Sequence, residues 1–391
     1  MQQSKSALEN ELTHLNFSFP ILEKLGNFLK SDNVLSGKKI AWHCHLTSLT
    51  AATVKVLCEA GATMLMSECK QNTSDLASIE YMRSLGARIF LGDESPRRAL
   101  EECPVLISDT GFVMISEYLK LIQEKQIEHF VLAASEITSS GIQNLRQRKQ
   151  LSLPIFNIND GQLKHSIENF HGVGDGVIDA LTKSTGRLWA GRKAAVVGYG
   201  SVGAGVAAHL AKAGAVLSIV EKDPVRKLIA HYDGYALCPL DQALSGVELL
   251  VSATGSPGLI NESALQKCRD GIILMNVGHW GEEIDLKALE KLCCHKRTIS
   301  AHLDEFEFRA KHSSSSAKKI YLLGGAGPAN VVMLSGSAEP TLIHLTTEAL
   351  TLHYILKQAQ AGKSLSPGEL PVPAEVERKA ASLALECLGL D

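Results

Sequence analysis

The chain has 391 residues, of which 45% are hydrophobic and 21% are charged, and its formal net charge is −3. These values exclude a wholly disordered chain, a collagen-like repeat and a nucleic-acid-binding protein held by bulk positive charge. At roughly 150 residues per domain, the length predicts two or three domains.

The nine cysteines show no paired Cys-x-x-Cys spacing, and Cys293, Cys294 and His295 have no partners at metal-ligand spacing. The first residues contain no secretory signal. We therefore expect reduced thiols, no metal and a cytoplasmic protein.

Apolar runs alternate with helical segments over the first ~165 residues, which predicts one α/β unit with a parallel sheet. In chain order, the predicted elements are a strand from 37, a helix over 48–60, a strand over 61–67, a helix over 74–85, and strands over 87–91, 105–109 and 129–134.

A second unit begins near residue 191. Its predicted elements are a strand over 193–198, a helix over 201–213, strands over 216–221, 247–252, 271–276 and 319–323, a polar loop over 312–317, a helix over 338–360, a loop over 362–373 and a terminal helix. The stretch 194–220 is long enough and apolar enough to span a membrane. It contains five glycines, however, so a strand, a turn and a helix explain it better, and we expect no membrane span.

A glycine-rich turn follows the first strand of this second unit. It reads Gly198-Tyr-Gly200-Ser201-Val202-Gly203 and opens a helix, and Glu221 ends the next strand 23 residues after Gly198. The turn allows a pyrophosphate to approach the backbone, and the helix N-terminus supplies N–H groups. A carboxylate at Glu221 accepts from ribose hydroxyls and repels a 2′-phosphate, although Asp223 is placed to share the role. The pattern predicts dinucleotide binding and favours NAD over NADP.

Polar residues also follow two later strands of this unit. Thr254 follows one apolar run, and Asn276 and His279 follow another. Ligands of open α/β sheets bind at the carboxyl ends of strands. We therefore predict Thr254 and Asn276 at the dinucleotide site and His279 in the active site.

Taken together, these motifs resemble the S-adenosylhomocysteine hydrolase (adenosylhomocysteinase) superfamily. The matching segments are 198–203, 221–224, 252–255, 276–285, His45-Leu-Thr47, Ser67-Glu-Cys69, Ser108-Asp109, 135–141, 157–160, Lys164 and Glu168-Asn169. They run in order over about residues 37–350. The resemblance predicts two Rossmann-like parallel-sheet domains: a substrate-binding domain over 1–170, completed by about 336–391, and an NAD-binding domain over 171–335. A small-molecule substrate, with no nucleic acid or membrane partner, and a homo-oligomer are also expected.

The resemblance implies redox-assisted elimination. The 3′-hydroxyl of a nucleoside is oxidised with bound NAD as hydride acceptor, the acidified 4′ C–H loses its proton, and the 5′ substituent leaves. Water then adds, and the ketone is reduced again. The implied site residues are Lys164 at the 3′-hydroxyl, Asp109 and His45 as proton carriers at the 4′ and 5′ positions, Glu168 beside them, Thr47 and Asn169 as positioning groups, and Thr138, Ser139, Ser140 and Asn330 at the dinucleotide.

Three of these residues have a simpler interpretation. Asp109 is also placed to cap a helix, Lys164 to be a solvated lysine and His45 to be a packed histidine.

The sequence departs from the family pattern where the substrate is read. Ile137 replaces a ribose-contacting carboxylate, Leu49 replaces a carboxylate that reads adenine, and the segment Gly336-Ser337 lacks a histidine. Glu168 stands in place of an aspartate, and the family's C-terminal lysine and tyrosine have no counterpart. We therefore expect altered substrate specificity. The alternatives are a catalytically reduced regulatory protein that binds NAD and a ketonucleoside-forming dehydrogenase.

Overall fold

The computed structural model describes residues 2–128, 130–278, 283–308 and 317–390, with the side chains of 2–5 left out. The strands are β1 (Lys39–Cys44), β2 (Thr63–Glu68), β3 (Arg88–Phe90), β4 (Leu106–Asp109), β5 (Ala133–Glu136), β6 (Pro154–Asn157), β7 (Lys193–Val197), β8 (Val216–Val220), β9 (Ala236–Leu237), β10 (Leu249–Ser252), β11 (Ile272–Asn276), β12 (Cys293–Ser300), β13 (Leu303–Phe308), β14 (Lys318–Pro328) and β15 (Gly368–Pro371).

The α-helices are α1 (Gln2–Ser18), α2 (Ile21–Lys30), α3 (Ser48–Glu59), α4 (Leu76–Ser84), α5 (Ser95–Leu100), α6 (Val113–Gln123), α7 (Ser139–Arg146), α8 (Val173–Thr185), α9 (Ser201–Lys212), α10 (Pro224–Tyr232), α11 (Leu240–Gly246), α12 (Glu262–Lys267), α13 (Leu286–Leu292), α14 (Ala329–Val332), α15 (Ala338–Gln360) and α16 (Ala374–Leu388). A 3₁₀ turn (Gln71–Thr73) and a π-helical segment (Lys164–Gly172) complete the elements. None of the helices in the described ranges is long and apolar enough to cross a bilayer.

The chain divides into two compact units. The first unit comprises residues 1–165 and 338–391, and the second unit comprises residues 166–337. The first unit contains a seven-stranded sheet in the order β15-β6-β5-β4-β1-β2-β3, in which all neighbours pair in parallel. Its strands are almost entirely buried, because helices cover both faces of a parallel sheet.

The second unit contains an eight-stranded sheet in the order β12-β13-β14-β11-β10-β7-β8-β9. The strands from β14 to β9 pair in parallel, whereas β12–β13 and β13–β14 pair antiparallel. Both sheets therefore have a switch point where the strand order reverses, at β1/β4 in the first unit and at β7/β10 in the second. Open α/β sheets bind ligands at such points.

Short polar side chains start the helices that follow the strands. Thr47, Thr138 and Asp223 accept a hydrogen bond from a backbone N–H in the first turn of α3, α7 and α10, respectively. Such caps satisfy amide groups that have no partner inside the helix. The predicted α/β class with two Rossmann-like sheets is confirmed.

Some elements differ from the sequence-based expectation. The predicted loop over 362–373 contains β15, which pairs in parallel with β6. The antiparallel pairs β12–β13 and β13–β14 were not predicted, because long-range pairing rather than local pattern creates them. Most of the predicted polar loop over 312–317 lies outside the described residues.

Candidate active site

Three candidate residues of the first unit lie where β1 and β4 end. His45 and Thr47 follow β1, and Asp109 is the last residue of β4. Because β1 and β4 are parallel neighbours at the switch point, their carboxyl ends meet at one edge of the sheet. The tertiary fold therefore brings these residues to the edge that binds ligands in open α/β sheets.

His45 is held by a hydrogen bond between its Nδ1 and Oγ1 of Thr73, 2.7 Å apart. Burial lowers the pKa of His45 to about 3, and the positive charges of Lys70 and Lys164 act in the same direction. His45 is therefore a neutral imidazole at pH 7. It can take part in proton transfer only when a stronger acid or base approaches it.

Asp109 is fully buried, and its two carboxylate oxygens accept hydrogen bonds from the N–H groups of Thr110 and Ile115, both at 2.8 Å. Ile115 lies in the first turn of α6, so Asp109 makes the contacts of a helix cap. Burial raises the pKa of its carboxyl, which these N–H groups oppose. The capping contacts leave lone pairs on both oxygens.

Glu136, which the sequence analysis did not single out, is also fully buried beside Asp109. The two residues are register partners on β4 and β5. The Glu136 carboxylate accepts hydrogen bonds from the N–H groups of Gly111, Phe112 and Thr138. Burial and the charge of Asp109 raise the pKa of Glu136. Its only sequence signal was a glutamate that ends a strand inside the Ser-Glu-Ile-Thr motif.

Lys164 begins the π-helical segment and is only 8% exposed. The structure thus contradicts the interpretation of Lys164 as a solvated lysine. Its positive charge lowers the pKa values of His45 and His344. Glu168 lies on the same segment, and π-helical turns are frequent at functional sites. Asn169, also on this segment, donates from Nδ2 to Oγ of Ser201, 3.2 Å away, within the second unit.

The two positions that depart from the family pattern are both apolar contacts. Leu49 and Ile137 are partly buried and pack against the core of the first unit. The next residue, Thr138, donates to Glu136 and accepts from the N–H of Gly141. Ser139 donates to Asn159, and Ser140 donates to Thr138. These hydroxyl groups therefore make contacts within the first unit.

In the second unit, the glycine-rich turn requires glycine for steric reasons. Gly198 has φ +93°, and a Cβ there would lie 2.7 Å from the carbonyl oxygen of Ala253. A Cβ at Gly203 would overlap the carbonyl oxygen of Gly198. At Gly200 the nearest atom to an added Cβ is Nη1 of Arg226, 3.6 Å away. The turn is therefore closed on the protein side and open at Gly200, as a pyrophosphate site requires.

Glu221 follows β8 at the same end of the sheet. Its carboxylate accepts hydrogen bonds from the N–H groups of Tyr199, Lys222 and Asp223 at 2.6–2.9 Å. These contacts fix a partly exposed carboxylate next to the glycine-rich turn, and free lone pairs stay available for ribose hydroxyls.

Further dinucleotide candidates lie beyond β10, β11 and β14. Oδ1 of Asn330 is buried and has no hydrogen-bond partner among the described residues, so it is available to a ligand donor. Asn276, in contrast, donates to the carbonyls of Gly278 and Ala326 and accepts from the N–H of Gly278, so its amide holds the loops. His279 lies outside the described residues. Together with the glycine-rich turn and Glu221, Asn330 fits a bound dinucleotide.

Glu283 is a second carboxylate that the sequence analysis did not single out. It is fully buried and accepts from the N–H and the hydroxyl of Thr254 and from the N–H of Gly255. A Cβ at Gly278 would overlap it. Glu283 therefore joins the loops after β10 and β11. Its signal was its place in the segment 276–285.

Comparison with known proteins agrees with this geometry. Residues 169–325 match the family described as "S-adenosyl-L-homocysteine hydrolase, NAD binding domain". The chain is 29% identical over 384 residues to the adenosylhomocysteinase of Aquifex aeolicus, covering 95% of this chain and 89% of the relative. It is a divergent member of the S-adenosylhomocysteine hydrolase superfamily. The predicted family and the predicted NAD cofactor are therefore confirmed.

Relatives in this superfamily carry more than one name. The S-inosyl-L-homocysteine hydrolase of Methanopyrus kandleri is 27% identical to the chain, over 95% of this chain and 88% of that protein. Among solved structures, the A chain of dipicolinate synthase from Bacillus subtilis matches with a TM-score of 0.43 and 15% identity, over 85% of this chain and all of that one.

Proposed function

We propose that the chain is an NAD-dependent enzyme that oxidises the 3′-hydroxyl of a nucleoside-type thioether to permit loss of its 5′ substituent. The observation that supports this best is Lys164, an amine that is only 8% exposed and whose charge acts on His45. A solvated lysine is not expected to be buried among ionisable groups. A buried amine beside other titratable groups is instead a candidate for proton transfer.

The side chains divide the proton transfers among them. Lys164 takes the proton of the 3′-hydroxyl, and Glu168 lies on the same π-helical segment. Asp109 and His45 carry protons at the 4′ and 5′ positions, and a neutral His45 is suited to receive one. When bound, NAD supplies the hydride acceptor for C3′ and is regenerated within the cycle. Thr47, Asn169 and His279 are proposed to position the sugar and the lysine.

The substrate is proposed to differ from adenosylhomocysteine in the parts that Leu49 and Ile137 face. A leucine cannot accept a hydrogen bond from an exocyclic amine, and an isoleucine cannot accept one from a ribose hydroxyl. One relative is named S-inosyl-L-homocysteine hydrolase, and hypoxanthine presents a carbonyl where adenine presents an amine. A nucleoside thioether without that amine is therefore included among the candidate substrates.

The test is to incubate the NAD-loaded protein with adenosine, inosine and their homocysteine thioethers. Two signals are recorded in parallel: absorbance in the NADH band and release of free thiol. Transient NAD reduction together with thiol release is the expected result. Reduction without thiol identifies a ketonucleoside-forming dehydrogenase. Absence of both signals with every substrate contradicts the proposal and favours a regulatory protein that binds NAD.

A further inference from the structure

Helix α15 carries two ionisable side chains into the interior of the first unit. His344 and Glu348 are four residues apart, and their side chains are 5% and 0% exposed. Nε2 of His344 lies 3.7 Å from Oε2 of Glu348, and Nδ1 of His344 has no hydrogen-bond partner among the described residues. A carboxylate in such a place is costly unless a positive charge and hydrogen bonds compensate it.

The hydrogen bonds come from the middle of the sheet. Ser108 on β4 donates its hydroxyl to Oε1 of Glu348. The Ser108 hydroxyl also lies 2.7 Å from that of Ser135 on β5. Since Ser108 has one proton and gives it to Glu348, Ser135 must donate to Ser108. The chain Ser135–Ser108–Glu348 thus orients a hydroxyl toward a carboxylate, which is the arrangement that stabilises an ionised glutamate.

The positive charge is that of Lys164. It lowers the pKa of Glu348, which burial raises to about 7, and the indole of Trp42 and the hydroxyl of Ser108 also lower it. The same lysine charge adds to burial in holding the pKa of His344 well below its usual value. His344 is therefore neutral, and Lys164 is the cation that faces Glu348.

The other groups around the pair carry no charge near neutral pH. Cys44 on β1 faces Glu348, and burial together with that carboxylate raises the pKa of its thiol. His45, which faces Lys164 from the loop after β1, is neutral because of its burial. Glu348 is therefore the group near Lys164 whose charge changes around neutral pH.

We propose that Glu348 is a positioning residue for Lys164: its buried carboxylate is the counter-charge that holds the lysine as an ammonium and thereby sets its strength as a base. His344 keeps the carboxylate in place as a neutral neighbour on the same helix. The catalytic meaning of this pair rests on the proposed function, whereas the charge coupling between the two side chains does not. No motif used to place the chain in its superfamily includes His344 or Glu348.

The coupling predicts how fast Lys164 reacts with an amine reagent. The full-length protein is labelled with limiting acetic anhydride between pH 6 and pH 10, and peptide mass mapping measures acetylation at Lys164. Glu348→Gln keeps the acceptor for Ser108 but removes the charge, so Lys164 loses its proton more readily. A neighbouring opposite charge shifts a pKa by about one unit or more, so labelling at a fixed pH above 7 should accelerate about tenfold. At pH 6 the wild-type carboxyl is protonated, and the two rates should converge.

The matched control is Glu339→Gln, the same chemical change on an exposed position of the same helix, which should leave Lys164 labelling unchanged. If Glu348→Gln fails to fold by circular dichroism, Ser108→Ala replaces it. That variant removes the bond favouring the ionised carboxylate and should move the onset of the wild-type behaviour to higher pH. Equal Lys164 labelling in wild type and the folded variant at every pH would overturn the proposal. A shifted labelling profile in a protein that never reduces NAD would keep the coupling and reject only the proposed function.

Discussion

Gly141 lies so close to the carboxylate of Glu136 that a Cβ at position 141 would overlap it. This contact joins the start of α7 to the buried glutamate that ends β5. The same carboxylate gathers the N–H groups of Gly111 and Phe112 at the start of α6. One side chain therefore organises two loops at the carboxyl edge of the sheet, and Gly141 provides the space for it.

We expect Gly141→Ala to destabilise the first unit by about 1–3 kcal/mol, because overpacking must displace a buried carboxylate. Gly246→Ala is the control, since a Cβ at this helical position meets nothing within 4 Å and should be neutral or stabilising. The measurement is the midpoint of thermal unfolding. Equal midpoints for the two variants would show that Glu136 moves aside freely.

NAD should bind about tenfold or more tightly than NADP, because Glu221 repels a 2′-phosphate; like charges about 4 Å apart repel by ~4 kcal/mol near a protein surface. Glu221→Gln keeps acceptors for the surrounding N–H groups but loses the charge, so the preference should shrink. Asp223→Asn is the control, because asparagine also caps α10. Calorimetry measures both affinities. Equal affinities in the wild type would contradict the role given to Glu221.

Lys164→Met should abolish NAD reduction by the substrate while NAD affinity stays unchanged. Loss of a positioned proton-transfer group typically lowers the rate by about 10²–10⁴-fold. The exposed Lys149 provides the matched control, and Lys149→Met should behave as the wild type. Rates are followed in the NADH band and affinity by calorimetry. A fully active Lys164→Met variant would mean that another group takes the 3′-hydroxyl proton.

Adenosine should bind weakly, because Leu49 and Ile137 leave polar groups of the ligand without partners. An unpaired buried polar group costs ~1–3 kcal/mol, so two such losses weaken binding by roughly 30-fold or more. The variant Leu49→Glu with Ile137→Glu should gain adenosine affinity, whereas Leu49→Met with Ile137→Met should not. Micromolar binding of adenosine to the wild type would show that other groups read the base and the ribose.

Acid should destabilise the first unit partly through His43, which is buried and has its pKa lowered to about 4. The unfolded chain binds a proton at this histidine below pH ~6.5, whereas the folded chain does so only near pH 4. The free energy of unfolding therefore falls as the pH drops from 6.5, by about 2–3 kcal/mol at pH 4.5 from this residue alone.

His43→Asn keeps a donor for the hydroxyl of Ser67, which His43 Nδ1 contacts at 2.9 Å, and removes the titration. The variant should lose about 2–3 kcal/mol less than the wild type between pH 7 and pH 4.5 in urea unfolding. The exposed His14 gives the control, since His14→Asn should retain the wild-type pH dependence. The same dependence in His43→Asn as in the wild type would assign the acid sensitivity to other groups.

Local sequence determined the fold class, the superfamily and the dinucleotide turn. The spacing of Gly198, Gly200 and Gly203 is read within one strand, turn and helix, and apolar runs mark buried parallel strands wherever they stand in the chain. The substitutions at Leu49 and Ile137 were likewise visible without coordinates, because they occupy known places in local motifs. Their effect on the substrate stays a prediction.

Only the tertiary structure decided which buried charges meet. Glu348 stands 240 residues from Ser108, and nothing in either segment predicts that a hydroxyl of β4 donates to a carboxylate of α15. The capping contacts of Asp109 and the pairing of β15 with β6 arise in the same way. The pKa of a buried carboxyl depends on desolvation and on neighbours brought from other elements, so residue type alone left it open. Local pattern identifies a residue, whereas long-range packing determines its charge.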